Sequence, residues 1–160
     1  MTLHLAAVDA TGLHDLRRRV LRNNDPAAEV SDVRDTEPAA LHLAGFLDDV
    51  LVACGSVYPS TSPLHPELAT WQLRYLAVDQ RYQSQGHGAV VLTALCDAVL
   101  ERGAREIWAN GRDTALAFYR REGWHLVTGS EHLSPSTGLP HTVIWKSLDE
   151  KQSSVDKLGV

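Results

Sequence analysis

The chain has 160 residues, of which 44% are hydrophobic and 22% charged, and this composition predicts a folded globular protein with one core. Its formal charge of −5 at pH 7 argues against a general nucleic-acid-binding protein and favours a small-molecule or cationic partner. Cys54 and Cys96 lie in apolar segments without CxxC spacing, so we expect buried thiols in a reducing compartment. No signal-like or membrane-spanning stretch stands out, and we therefore expect a cytoplasmic protein.

The first half of the chain alternates strand-like and helix-like patterns. In chain order, the predicted elements are a strand over residues 2–8, a helix over 9–24, a loop over 25–38, a two-stranded hairpin over 40–60 and a central strand over 71–78. Asp9 or Thr11 is expected to cap the helix. The central strand, "WQLRYLAV", carries large residues on both faces, which is typical of a strand covered on both sides.

The second half predicts two helices between strands. The elements are a helix from the glycines to Gly103, a strand over 105–110, a helix over 112–123, strands over 124–129 and 141–148, and a polar, mobile tail over 149–160. The first of these helices has an apolar stripe of Val91, Leu95, Ala98 and Val99. Asp113 or Arg112 is expected to begin the second helix, and Gly123 to end it.

The stretch "YQSQGHGA", residues 82–89, places two glycines where the central strand gives way to a helix. The first amides of a helix have no internal acceptor and the helix dipole adds positive charge, so Gly86 and Gly88 would open this end to a phosphate. A dinucleotide fingerprint fits poorly because Val91 stands where its third small residue belongs, and the Lys-Ser/Thr of a P-loop is missing. Close packing of small residues at the helix entry is the alternative to a phosphate site.

Several motifs in the expected order resemble the GCN5-related N-acetyltransferases. "QSQGHG" matches the Q/R-x-x-G-x-G/A loop that holds the pyrophosphate of acetyl-CoA in that family, and the resemblance covers nearly all of residues 2–148. The other matching stretches are "WQLRYLAV", "IWANGRDTALAFYRREGW", "LRRRVLRNN" and the late "GLPH". The resemblance implies a single N-acetyltransferase domain over residues 1–148. Its fold would be mixed α/β, with a central, mostly antiparallel, splayed sheet flanked by helices.

The resemblance also implies which residues bind acetyl-CoA as co-substrate. The backbone of the strand end would bind the pantetheine arm, the glycine loop would bind the pyrophosphate, and a polar side chain after the next strand would bond the pantetheine amides or a phosphate. The implied residues are, in that order, Leu76, Ala77 and Val78; Gln83, Ser84, Gln85, Gly86, His87, Gly88 and Ala89; and Asn110 or Arg112. The His87 side chain is expected to be exposed.

Tyr119 is the catalytic residue that the resemblance implies, since it occupies the place of the tyrosine in the family's "FY" pair. Acyl transfer from a thioester expels a thiolate, and a phenol within hydrogen-bond reach can protonate it. The alternative is an aromatic side chain that only packs beside Phe118.

The general base is left open by the sequence. Many family members carry a glutamate on the central strand, but this chain has Gln72 at that position, and an amide cannot titrate. Glu67, His65 and His141 are substitutes, and proton loss through a water chain is the fourth alternative. The eight histidines show no metal-ligand spacing, so we expect no metal.

The function that follows is transfer of an acetyl group from acetyl-CoA to a primary amine by direct attack in a ternary complex. The partner would be a small-molecule or protein amine, with no nucleic acid or membrane involved, and a homodimer is compatible with the resemblance. Two rivals stay open: a non-catalytic acyl-CoA sensor on the same fold, which the missing glutamate favours, and a nucleotide-phosphate binding module.

Overall fold

The computed structural model describes residues 2–148, and the tail predicted over 149–160 lies outside them. Within them, the strands are β1 His4–Ala7, β2 Leu41–Leu47, β3 Val50–Pro59, β4 Thr70–Val78, β5 Glu106–Arg112, β6 His125–Leu126, β7 His132–Leu133 and β8 Pro140–Ser147. The α-helices are α1 His14–Leu21, α2 His87–Glu101 and α3 Leu116–Arg121. Short 3₁₀ turns occupy Ala10–Leu13, Gln80–Tyr82 and Asp113–Ala115.

The strands form one sheet in the order β1-β2-β3-β4-β5-β8-β6, and β7 pairs with β8 outside this path. β4 and β5 are parallel, whereas β1 with β2, β2 with β3, and β8 with each of β5, β6 and β7 are antiparallel. This confirms the predicted mixed α/β fold with a mostly antiparallel sheet and flanking helices. Among residues 2–148, no helix has both the length and the apolar character that crossing a membrane requires.

The chain divides into two compact units. The first joins the described residues up to Tyr58 with Leu73–Leu95, and the second joins Pro59–Gln72 with the described residues from Cys96 onward. β4 and α2 therefore each contribute residues to both units.

The core of the first unit is built by the apolar stripe of α1 and alternate strand residues. Leu13 and Leu16 are buried at helical spacing against Ala44, Cys54 and Ala77. On α2, the predicted stripe is confirmed at Val91 and Leu95, which are fully buried. A side chain at Gly55 would meet Leu95 Cδ1 at 2.7 Å, so only glycine lets the helix approach β3 this closely.

A fully buried guanidinium lies beside this core. Arg17 Nη1 donates to the carbonyl of Val30 at 2.9 Å and to Asp35 Oδ2 at 2.8 Å, while Nη2 donates to Ser56 Oγ at 2.9 Å. Its carbon Cζ lies 3.9 Å from the centre of the Tyr75 ring. One side chain of α1 thus binds the loop before β2, strand β3 and strand β4.

The loop over residues 25–38 has no regular element, as predicted, but it supplies buried carboxylates. Asp35 also accepts from the Tyr58 hydroxyl at 2.5 Å and from the Asp32 amide at 3.0 Å. Burial opposes ionisation of Asp35, but the hydrogen bonds from Arg17 and Tyr58 outweigh it and lower its pKa. Hydrogen bonds from Arg34 and Arg74 likewise lower the pKa of Asp32 despite its burial.

Helix starts differ from the prediction, and α1 ends at Leu21 instead of residue 24, whereas the two helix ends marked by glycine agree with it. Asp9 occupies the cap position of the turn Ala10–Leu13, which leads into α1, but without a side-chain hydrogen bond, and Leu13 occupies the cap position of α1 itself. Arg112 likewise precedes the turn Asp113–Ala115 without such a bond. Gly103 and Gly123 end their helices with φ of +90° and +86°, a conformation that glycine adopts without strain.

The closing strands are also shorter or more numerous than predicted. The strand expected over 124–129 is confined to the two residues of β6, and the chain turns at Gly129 with φ of +85°. β7 was not predicted, since two residues are too few to form a recognisable alternation.

We expect Asp35→Asn to lower the free energy of unfolding by about 3 kcal/mol, because it leaves the buried Arg17 charge without a counter-ion. Urea unfolding at pH 7 measures this. The pKa of Asp35 is lower in the folded state than in the unfolded state, so the carboxylate stabilises the fold above pH of about 4 and loses this effect as the pH falls. The difference between the two proteins should therefore shrink below that pH.

The matched control is Asp15→Asn, which removes the exposed partner of Arg19 on the same helix. An exposed pair contributes about 1 kcal/mol or less, so a small change is expected. Equal effects of the two substitutions would contradict the role given to the buried pair.

Candidate functional site

The end of β4 carries a backbone irregularity at Tyr75, whose φ is +60°. A non-glycine residue in this region is strained, and here the ring is held between the guanidinium groups of Arg17, at 3.9 Å, and Arg74, at 4.5 Å. The irregularity changes the direction of the following side chains, so that Leu76 lies against Gly55 and Ala77 joins the α1 core. Val78 is half-buried.

The same strand leaves part of one edge outside the β5 ladder. Its parallel register with β5 covers Thr70–Gln72 and includes none of Leu73–Val78. Backbone N–H and C=O groups along that edge need partners, and an extended ligand could supply them. Leu76, Ala77 and Val78 lie on this segment.

Side chains fix the loop between β4 and α2. Asp79 accepts from the Arg81 amide at 3.0 Å and from Arg19 Nη1 at 2.8 Å, and the hydrogen bonds from Arg81 and then Arg19 lower its pKa. Gln83 Nε2 donates to the carbonyl of Val78 at 2.9 Å, which ties the loop to the end of the strand. The Gln83 side chain therefore shapes the loop.

The loop then enters α2 through two left-handed residues, Ser84 with φ of +63° and Gly86 with φ of +86°. The Val90 amide donates to the Gly86 carbonyl at 3.2 Å, so the helical hydrogen bonds begin there. The amides of residues 86–89 precede that pattern and have no acceptor within the helix. A Cβ at Gly86 would meet nothing within 4 Å, so the approach to these amides is open. This geometry suits an anion.

The prediction that the His87 side chain is exposed is wrong. His87 is only 8% exposed, and its Nε2 is buried without a hydrogen-bond partner among the described residues. His87 is the first residue of α2, and side chains in a first turn lean back over the helix entry instead of projecting from a loop. Its backbone amide remains among those at the helix start.

In the second unit, Asn110 and Arg112 lie at the end of β5, two residues apart and hence on one face. Asn110 is exposed and opposite Val143, whereas Arg112 is half-buried and opposite His141. Burial lowers the pKa of Arg112 from its ordinary value.

Tyr119 lies on α3 between two aromatic rings. Its ring centre is 5.2 Å from that of Phe118 and 5.3 Å from that of Trp124, which the turn at Gly123 brings back over it. The residue is 8% exposed, and burial raises the pKa of the phenol. No residue of 2–148 forms a hydrogen bond with its hydroxyl. Tyr119 therefore carries a neutral hydroxyl that is available as a donor.

The candidate bases differ in their surroundings. Gln72 is buried, and Glu67 is exposed. His141 Nδ1 donates to the carbonyl of Leu139 at 2.8 Å. His65 Nδ1 lies 2.5 Å from Oε1 of Glu106, a residue that sequence reasoning missed. The signal was present, because Glu106 is an acidic residue directly before the apolar residues 107–109 of β5.

Neither cysteine offers a nucleophile. Cys54 and Cys96 are free and buried, as predicted, and burial raises the pKa of each thiol to about 12. Across residues 2–148, no group of three or more potential ligand side chains is arranged to hold a metal ion.

The chain is similar to known acetyltransferases along most of its length. The model of the acetyltransferase (GNAT) family matches residues 10–124. YitI of Bacillus subtilis, an uncharacterized N-acetyltransferase, is 25% identical over 146 residues, which are 91% of this chain and 97% of YitI.

Solved structures with the same fold include two with the following similarity to this chain. The ribosomal-protein-S18-alanine N-acetyltransferase of Escherichia coli superposes with a TM-score of 0.69 at 18% identity, covering 92% of this chain and 95% of that one. The yncA protein of Salmonella typhimurium, solved with its cofactor acetyl-CoA, gives a TM-score of 0.69 at 16% identity, covering 94% and 96%. At such identities the likeness establishes the fold. Because the family model spans well over half of the chain, the protein belongs to the acetyltransferase (GNAT) family.

Proposed function

We propose that the protein transfers an acetyl group from acetyl-CoA to a primary amine, by direct attack of the amine on the thioester in a ternary complex. Family membership and the acetyl-CoA bound to yncA support the donor. Both thiols are buried and keep their protons, which disfavours a covalent acetyl-enzyme and favours direct attack.

The observation that carries the proposal is the start of α2. A pyrophosphate would be bound by the amides of residues 84–89, where Ser84 and Gly86 have left-handed backbones and the absence of a Cβ at Gly86 leaves the approach open. The positive end of α2, a helix of 15 residues, would attract its charge. The free edge of Leu76–Val78 would hydrogen-bond the pantetheine arm as another strand does. Asn110 or Arg112 would bond the pantetheine amides or a phosphate.

We assign to Tyr119 the protonation of the departing CoA thiolate. Burial keeps the phenol neutral at physiological pH, so the proton is present when the sulfur leaves. The same burial makes the phenol a weaker acid, and the transfer therefore depends on a basic thiolate held close to the hydroxyl.

The acceptor is proposed to be a small-molecule or protein amine. The formal charge of −5 favours a cationic molecule, and the similar Escherichia coli enzyme is named for the alanine of a ribosomal protein. We further propose that residues 1–148 act as one acetyltransferase domain, since the family model runs through residues of both units.

Gly86→Glu should weaken CoA binding by about tenfold or more, because it places a side chain and a negative charge among the amides proposed to hold phosphate. Calorimetric titration with CoA measures this. Gly129→Glu is the matched control: Gly129 has nearly the same φ, +85°, and the same open space, but lies outside the proposed site. Unaltered CoA affinity in folded Gly86→Glu would refute the loop assignment. Tight CoA binding by the wild type without thiol release in the presence of amines would favour an acyl-CoA sensor.

Tyr119→Phe should lower kcat by about 10²-fold, because the departing thiolate loses its proton donor while the ring packing stays. Acetyl-CoA affinity should change little, and the defect should shrink with a donor whose thiol is a better leaving group. Stopped-flow thiol detection under conditions where chemistry limits gives the rate. Tyr82→Phe removes a hydroxyl from a tyrosine that, unlike Tyr119, is half-buried, and serves as the control. Wild-type turnover by Tyr119→Phe would mean that the tyrosine only packs.

A further inference from the structure

We propose that His65 is the base that accepts the proton of the amine, and that Glu106 is the positioning residue that orients and supports it. The inference rests on the proposed acetyl transfer and names the residue that the sequence left open. Both residues belong to the second unit, as do all the contacts that follow.

The hydrogen bond between the two side chains determines which imidazole nitrogen is free. His65 Nδ1 lies 2.5 Å from Glu106 Oε1, and because a carboxylate only accepts hydrogen bonds, we assign the imidazole proton to Nδ1. The lone pair is then on Nε2. The His65 side chain is 37% exposed, and no residue of 2–148 bonds to Nε2. This nitrogen can therefore take a proton from an incoming molecule.

Glu106 is buried in a way that a structural role does not explain. It is 1% exposed, and Oε2 is buried without any hydrogen-bond partner among the described residues. A buried acceptor without a partner is unfavourable, and an apolar side chain at the same place would avoid that cost. A carboxylate held against one imidazole at such a cost is typical of a functional site.

Hydrogen bonds hold the residues of the loop that precede His65. Ser60 O accepts from Thr70 Oγ1 at 2.5 Å and from Trp108 Nε1 at 3.3 Å. Ser62 Oγ then accepts from the amide of His65 at 3.4 Å, and its own amide donates to Thr70 Oγ1 at 2.9 Å. The imidazole is thus placed by β4 and β5, as a preorganised base requires.

Aromatic side chains form the surface beside the imidazole. The His65 ring meets the Trp145 ring edge-on, with centres 5.4 Å apart. Trp108 of β5 is opposite Trp145 of β8 on one side and opposite Gln72 of β4 on the other. Residues that are opposite one another in neighbouring strands point to the same side, so these three side chains lie on one face of the sheet. Trp108 and Gln72 are buried and Trp145 is half-buried, so the imidazole lies beside a largely covered part of this face.

The other candidates differ from His65 in their contacts. Glu67 is exposed, and His141 Nδ1 donates to the backbone carbonyl of Leu139. His125 packs on the same Trp145 ring, with centres 4.7 Å apart, and the described residues place no carboxylate on it. His125 is therefore the natural control for His65.

In the proposed step, every proton has a source and a destination. An ammonium acceptor loses one proton to His65 Nε2, and the freed lone pair forms the C–N bond at the thioester carbonyl carbon. Collapse breaks the C–S bond, and the departing sulfur takes the proton of Tyr119. The second proton of the nitrogen replaces the one lost by Tyr119, and His65 returns its proton to solvent. The products are an amide, a thiol and one released proton.

The test compares turnover of acetyl-CoA with spermidine, glucosamine and a peptide with a free amino terminus, using thiol release by wild type to choose the amine. His65→Gln should lower kcat by about 10²-fold or more and should lose the acidic limb of the pH–rate profile. His125→Asn should retain wild-type turnover. Glu106→Gln should also lower kcat, and its acidic limb should move to lower pH, because loss of the carboxylate disfavours the protonated imidazole. A purely structural glutamate would not move that limb.

The outcomes separate the inference from the proposed function. No thiol release by wild type with any of these amines overturns both. Wild-type turnover that survives in His65→Gln, or a several-hundredfold loss in Glu67→Gln or His141→Asn alone, overturns the inference and leaves acetyl transfer standing. Should Glu106→Gln fail to fold, nitrogen NMR of His65 in the wild type decides its part: a neutral imidazole protonated on Nδ1 is expected, and one protonated on Nε2 would refute the orienting role.

Discussion

The burial of the Arg17 charge constrains the first unit more than any other interaction. A guanidinium without solvent needs fixed partners, and Arg17 finds them in the loop before β2, in β3 and in the ring of Tyr75. Tyr75 in turn holds the left-handed backbone that sets the direction of the Leu76–Val78 segment. The shape of the proposed cofactor edge therefore depends on an ion pair that touches no ligand.

The proposed acid and base lie in environments of different kinds. Different environments are how a protein lets one group hold its proton while another accepts one. Tyr119 is surrounded by aromatic rings, and burial keeps its proton in place. His65 is partly exposed and has a carboxylate behind it. Side chains of β5 alternate between two faces: Gly111 lies against Leu116 of α3, and Trp108 lies on the other face. The two groups are therefore supported by separate parts of the second unit.

Features that depend on local patterns were predictable from the sequence. The stripe of α2, the glycines that end two helices and the hairpin at residues 48–49 each follow from spacing or backbone preference over a few residues. Features that depend on distant partners were not. The loop over 25–38 gave no sign that Asp35 would pair with Arg17, eighteen residues earlier, nor could spacing bring Glu106 to His65. Burial of His87 and the backbone of Tyr75 likewise follow from tertiary packing, which propensity does not encode.

The division of β4 and α2 between the two units has a consequence for synthesis on the ribosome. The first unit is completed only when Leu95 has emerged, and by then Pro59–Gln72 of the second unit are already outside. Thr70–Gln72 of that segment pair with β5, and β5 in turn pairs with β8, residues 140–147. A domain made of one contiguous segment can fold as it emerges. In this chain, part of β4 stays without its β5 partner until most of the described residues have been synthesised. A chaperone that shields Trp71 and its neighbours during that interval would act on this segment.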